Sequence, residues 1–380
     1  MKRLLYFFKL IFKKVFCLFA CLFPINFKTV VFDNFNGGGY GCNPKYIAEV
    51  LKDDDLKLVW LAVNPQTNPF PSYIKAVKYD SFFAWYYLET ARVVVTNVRN
   101  SKGVIKRNNQ KYIQTWHAYL GPKMIEKDAQ KSLSLAYIEQ AKRNGKDTDL
   151  MISNNDFMSN IYASSFWYSG DILSCGLPRN TLLANSDDSI KGNIKNKLGL
   201  SLDSLVCLYA PTWRSKGFDV PILNFDKCKK SLQDKFNKED VVVCVRLHPN
   251  TDKSKYCFTS DVIDFSSYPD IQELLAITDV LISDYSSIIE DFIFTYKPAF
   301  MYVPDYDSYI KDRNFYYPLN KRPYPICRTE MELWSEIKLF SQDSLNKAIE
   351  NFKKEFGIIE DGLGSVKVAN VIRNWTNSMI

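Results

Sequence analysis

From residue 29 onward the chain alternates brief β-rich apolar runs with helix-like segments, and this pattern limits the fold more than any other feature. "TVVFDNF", "LKLVWLAV", "ARVVVTNV", "KYIQTWH" and "DLMISNN" make a first series of strands. "LVCLYAPTW", "VVVCVRLHP", "DVIDFS", "DVLISDYS" and "KPAFMYVPD" make a second. Runs apolar on both faces belong to parallel sheets, with the intervening helices as crossovers. "NPKYIAEVLK" and "DSFFAWYYLETA" are helices of the first series; segments near 225–236, 270–278, 286–294 and 331–340 are helices of the second. The polar stretch 181–204 reads as a linker with one helix. The expected architecture is α/β, with two Rossmann-like domains facing a cleft, spanning 29–185 and 200–345. The remaining 346–380 would be C-terminal helices packing back toward the first domain.

Charge is concentrated at the start. Of a net +7, +6 falls in the first 32 residues, on Lys2, Arg3, Lys9, Lys13, Lys14 and Lys28 with no acid, so the rest is near +1. A nucleic-acid-binding body would spread its basic residues over the folded surface, so no nucleic-acid partner is expected. On a helix of about 100° per residue, Lys2, Lys9 and Lys13 share a stripe, with Arg3 and Lys14 beside it. Leu4, Leu5, Phe8, Ile11, Phe12, Val15, Phe16 and Phe19 cover the other side. Residues 1–28 thus read as an amphipathic segment lying on an anionic membrane surface. A signal peptide and a helix packed on the protein itself are the alternatives. The uncharged run from Val15 to Phe27, about 13 residues, is too short to span a bilayer, which takes about 20. The nine cysteines include no C-x-x-C pair, and several lie inside strand-like runs, as small buried residues of a reducing compartment do. With two histidines and no paired cysteines, no metal site is expected.

Both histidines end apolar runs, "YIQTW" before His117 and "VVVCVRL" before His248. Ligands of open parallel sheets bind beyond the carboxyl ends of the strands, which places one imidazole at the ligand end of each domain. "LISDYSSIIEDF" reads as strand, turn and helix start, with Ser286 and Ser287 where free backbone N–H groups would meet a phosphate. Equally, Ser287 and Glu290 could form a capping box that needs no ligand. Thr212 and Arg214 end another strand, where the guanidinium could grip phosphate or form a surface ion pair. "PRN" at 178–180, and Lys123 with Asp128, invite the same two readings. The D-x-D pairs Asp147/Asp149 and Asp305/Asp307 are weak candidates for a metal–nucleotide site. No G-x-G-x-x-G or P-loop occurs.

"WHAYLGPKMIEKD", "CGLPRN", "APTWR", "RLHPN", "DVLISDYSSIIEDF", "KPAFMYVPDYDSY" and "DGLGSVKVANVI" stand in the order seen in the CDP-glycerol glycerophosphotransferase family, the teichoic acid and capsule polyol-phosphate polymerases and primases. The chain resembles that family over about residues 30–375. The resemblance implies a GT-B-like fold, with the first domain taking the acceptor and the second the CDP donor. It implies transfer of glycerol phosphate, or a related polyol phosphate, from a CDP-polyol to a lipid-linked or glycan acceptor, with CMP leaving. The enzyme would be cytoplasmic and peripheral on the inner face of the cell membrane. His117 would be the general base. His248 would contact the donor phosphates, with Thr212, Arg214, Arg246 and Asp284 to Ser287 at the donor site. Lys123 and Asp128 would lie on the acceptor side. No cofactor is implied with certainty, though a divalent cation is compatible. The family usually has glycine where Ala118 stands, and acids where Thr181 and Ser215 stand. A GT-B glycosyltransferase using a CMP- or UDP-sugar, and a non-catalytic membrane-associated subunit, are the competing functions.

Overall fold

The computed structural model describes residues 2–67, 70–99, 104–118, 120–214, 219–311 and 315–378, with no side-chain description at 2–7, 310 and 311. Ser215 and the side chains of Lys2, Arg3, Leu4 and Leu5, all used above, lie outside the described residues. The chain forms two compact units, each with its own parallel sheet. The first unit comprises Met1–Tyr119, Ile125–Thr181 and Ile359–Ile380; the second comprises Leu120–Met124 and Leu182–Ile358.

The first unit holds β1 (Asn26–Asp33), β2 (Lys57–Ala62), β3 (Ile74–Lys78), β4 (Ala91–Thr96), β5 (Lys111–Gln114), β6 (Leu150–Ser153) and β7 (Asp171–Ser174). Their order in the sheet is β3-β2-β1-β4-β5-β6-β7. The second unit holds β8 (Leu205–Ala210), β9 (Val241–Val245), β10 (Val262–Asp264), β11 (Val280–Ser283), β12 (Ala299–Tyr302) and β13 (Ile326–Cys327), in the order β10-β9-β8-β11-β12-β13. All the named pairings are parallel. The two-domain, GT-B-like α/β reading therefore holds. In each sheet the winding direction reverses once, between β1 and β4 and between β8 and β11. That reversal opens a crevice at the carboxyl ends of the central strands.

Three strands escaped the sequence reading, all at or next to a sheet edge. β3 ("IKAVK") is interrupted by two lysines, β7 ("DILS") is half exposed, and β13 has only two residues. Edge strands bury one face or less and so lack the continuous apolar run of a central strand. The stretch 181–204 carries two helices, Asn180–Asn185 and Asp188–Lys197, where one was expected.

The N-terminal helix α1 (Lys2–Ala20) packs on the helix Phe82–Thr90. Two lysines of the basic stripe turn to the protein, where Lys9 and Lys13 both pair with Asp80, at 2.6 and 3.2 Å. Lys13 is buried and lies over the Trp85 ring. Phe12 and Phe16 meet Phe82 and Trp85 edge to face. Among the described residues, no helix is long and apolar enough to cross a membrane.

Candidate active site

His117 follows β5 and sits at the switch point of the first sheet. Its neighbours come from the strands on either side of the reversal. Its Nδ1 lies 2.7 Å from the carbonyl oxygen of Asn97, just past β4. The Phe35 ring, just past β1, meets the imidazole edge to face at 5.2 Å, and Trp116 lies 4.4 Å away on the chain side. Arg179 donates to the His117 carbonyl at 2.5 Å, and the Asn43 amide donates to that of Trp116 at 3.0 Å. These bonds hold Trp116 in a left-handed conformation (φ 49°) that turns the histidine off the strand. A carbonyl can only accept, so Nδ1 carries the proton and Nε2 keeps its lone pair. Burial pushes the His117 pKa down to about 4; the Asn97 carbonyl opposes this and the Arg179 charge adds to it. The ring is therefore a neutral base at pH 7, held in one tautomer.

His248, three residues past β9, has the opposite tautomer. Its Nδ1 accepts the backbone N–H of Asn250 at 3.1 Å, so the proton resides on Nε2 and faces outward as a donor. Burial of the ring's inner side, then the charges of Arg246 and Lys123, lower its pKa, with Asp284 opposing. Arg246 donates to the Tyr268 carbonyl at 3.3 Å, while its buried Nε has no acceptor. Burial lowers the Arg246 pKa, which Asp270 partly offsets. A half-buried guanidinium with a buried, unused donor suits an anion.

Thr212, Arg214 and Asp284, just past the ends of β8 and β11 that flank the reversal, form a network in which Arg214 and Asp284 are buried and Thr212 is half-buried. Asp284 accepts the Thr212 N–H at 2.9 Å, the Thr212 hydroxyl, and Arg214 Nη1 at 2.8 Å. Arg214 also pairs with Asp305 at 2.6 Å and donates to the Thr212 carbonyl at 2.7 Å. It lies 5.1 Å from the stacked rings of Tyr285 and Tyr309. The geometry favours the ion-pair reading of Arg214, with the pair buried rather than on the surface.

Ser286 and Ser287 follow β11 and are half-buried. The capping box is not formed, for Ser287 makes no side-chain cap bond and Glu290 is turned to Arg322 at 2.7 Å. The helix that follows, Ile288–Phe292, has five residues, so its dipole is slight and anion contacts would rest on the hydroxyls and loop amides. Arg322 donates to the carbonyls of Asp284 (2.9 Å) and Ser286 (3.1 Å), clamping this turn from below.

Lys123 groups with the second unit. Its backbone bridges to Phe315, its amine lies over the Tyr309 ring, and its charge acts on His248. Gly121, two residues earlier, sits against Ser287. Asp128, in the first unit, accepts the Ser165 hydroxyl at 2.5 Å and is exposed. Three of the four D-x-D carboxylates are held in ion pairs: Asp149 with Lys106 and Lys111, Asp305 with Arg214, Asp307 with Arg328. Among the described residues no cluster of three or more His, Cys, Asp or Glu side chains could hold a metal ion. Sequence reasoning missed Phe35, Asn97 and Arg322. Asn97 had a signal, a polar residue directly after the apolar run "ARVVVT".

The family model described as CDP-glycerol:poly(glycerophosphate) glycerophosphotransferase matches residues 15–374. The chain belongs to this family. It is 30% identical, over 91% of its length and 92% of the relative's, to a teichoic acid poly(glycerol phosphate) polymerase of Bacillus spizizenii. It is 31% identical, over 93% of its length, to the polymerase of the same name from Bacillus subtilis, and spans half of that protein. Among solved structures, the wall teichoic acid polymerase TagF soaked with CDPG is similar at a TM-score of 0.79 and 30% identity, over 93% of this chain and 90% of that one.

Proposed function

We infer that this member of the glycerophosphotransferase family transfers glycerol phosphate from CDP-glycerol to a hydroxyl of a teichoic-acid-type acceptor. The opposed tautomers of the two histidines carry this reading. His117 Nε2, with its lone pair, takes the proton of the acceptor hydroxyl. The acceptor oxygen then bonds to the phosphorus bearing glycerol, and the bond from that phosphorus to the CMP oxygen breaks. CMP leaves as an anion, so it needs charge stabilisation more than a proton. His248 Nε2–H, Arg246, Lys123, Ser286 and Ser287 would supply it in the second unit. Thr212, Arg214 and Asp284 would shape that site from beneath, and Asp128 would act, if at all, on the acceptor side of the first unit. The test is CMP release from CDP-glycerol, CDP-ribitol and CMP-sialic acid, each with a synthetic oligo(glycerol phosphate) acceptor. Release from CDP-glycerol with lengthening of the acceptor is expected. Release from the sugar nucleotide alone would favour a glycosyltransferase, and none from any donor would favour a non-catalytic subunit.

The same reading places the protein peripherally on the inner face of the cell membrane. Its support is the orientation of α1. The lysines Lys9 and Lys13 are clamped to Asp80, while Val15 and Leu18 are 59% and 54% exposed beside Ile11 and Phe19. A monomer in water seldom presents so continuous an apolar strip, and an interfacial helix does. Replacing Val15 and Leu18 by glutamate is expected to abolish binding to phosphatidylglycerol vesicles. Turnover on a short soluble acceptor should persist. Undiminished vesicle binding would return α1 to a purely structural role.

A further inference from the structure

The loop after β1 winds the wrong way for L-residues. Phe35, Asn36 and Gly37 have φ of 49°, 57° and 90°, a left-handed turn closed by the Gly38 N–H donating to the Asn34 carbonyl at 2.5 Å. Asparagine and glycine tolerate this region, but phenylalanine gains nothing from it. The turn is held from every side. The Phe35 N–H donates to Asn97 Oδ1 (2.9 Å), Asn97 Nδ2 to Asn34 Oδ1 (2.6 Å), Asn34 Nδ2 to the Gly39 carbonyl (2.7 Å) and the Gly37 N–H to Asp33 (2.9 Å). The Val63 N–H donates to the Gly37 carbonyl, and a Cβ at Gly37 would stand 2.7 Å from the Tyr79 side chain. Strain so over-determined serves what it displays. It displays the Phe35 ring, 49% exposed, against His117, whose Nδ1 is bound to Asn97, the same residue that anchors the turn.

Resting on the assignment of His117 as the base, we propose that the Phe35–Gly37 turn is the acceptor-side wall of the site. The Phe35 ring packs on the carbon face of the acceptor's terminal polyol and so holds its hydroxyl toward His117. A polyol chain offers C–H groups between its hydroxyls, and an aromatic ring beside a base grips those while leaving the hydroxyls free to react. The ring is a substrate-positioning group and takes no part in proton transfer.

The test is steady-state kinetics of the full chain, with donor and oligo(glycerol phosphate) acceptor varied separately. Phe35→Ala is expected to raise the acceptor KM about tenfold and to leave the donor KM within about twofold. Phe35→Tyr should restore the acceptor KM. Phe35→Gly should also lose acceptor affinity, yet melt no lower than the parent, because glycine is unstrained at positive φ. A structural residue would lose stability and affinity together. An unchanged acceptor KM in the alanine and glycine variants, or an equal rise for donor and acceptor, overturns the proposal. His117→Ala, run alongside, separates the two readings. If it stays active, the base assignment fails while the Phe35 kinetics still report acceptor contact.

Discussion

His117→Ala should lower turnover by about 100-fold or more, the usual scale for losing a general base, with calorimetric affinity for CDP-glycerol essentially unchanged. The split follows from placement, since His117 belongs to the first sheet and the groups assigned to the donor belong to the second. The pH profile gives an independent check. Burial holds the His117 pKa at about 4, so the base stays unprotonated far below the ordinary imidazole value of about 6.5. The acid limb of kcat/KM that reports this base should therefore fall near pH 4. Stability follows the same sign. The folded pKa lies below the unfolded one, so between the two the unfolded chain binds more protons. The contribution is fully present above about pH 6.5 and is lost as pH falls toward 4. In His117→Ala that dependence should vanish. A folded alanine variant, checked by circular dichroism, with near-normal turnover would remove the base from the mechanism.

The largest stability effect is expected at Arg322. Its guanidinium and the Glu290 carboxylate are 2.7 Å apart with both side chains fully buried. The Tyr317 hydroxyl lies 2.9 Å from the same carboxylate and 2.5 Å from the Leu120 carbonyl. Arg322→Ala leaves Glu290 buried without its cation, which costs about 3–5 kcal/mol. It also frees the carbonyls of Asp284 and Ser286, so the turn bearing Ser286 and Ser287 loosens and donor affinity should fall. Burial already raises the Glu290 pKa, and Arg322 pulls it back. Without Arg322 the carboxyl can escape its penalty by taking a proton. A group whose folded pKa lies above its unfolded one adds stability as pH falls, so the deficit should narrow at pH 5 relative to pH 8. Arg322→Ala with Glu290→Gln should recover part of the loss. Urea unfolding at both pH values measures all three. A loss below about 1 kcal/mol at pH 8 would show that the pair does not hold the turn.

Much of the molecule was legible in the chain. Apolar runs such as "VVVCVRL" bury both faces, so the central strands and their parallel order of chemistry, histidine after strand and serine pair after strand, show in one dimension. The family motifs named both imidazoles. Strand order did not show, because the reversal between β1 and β4, or between β8 and β11, depends on which edge each crossover helix packs against. Only that reversal brings Asn97 and Phe35 to His117. Partner choice was equally hidden. Arg214 and Ser287 each had two chemically sound partners in sequence. Burial decided between them, turning Arg214 onto Asp284 and Asp305 and giving Glu290 to Arg322, since a buried charge takes the nearest opposite charge before any cap. The same holds for α1. Its amphipathic period is a property of the sequence, but how the helix is turned on the protein was decided by tertiary contacts: Asp80, a single carboxylate about 70 residues away, draws in Lys9 and Lys13, Phe82 and Trp85 take Phe12 and Phe16, and Ile11, Val15 and Leu18 are left exposed.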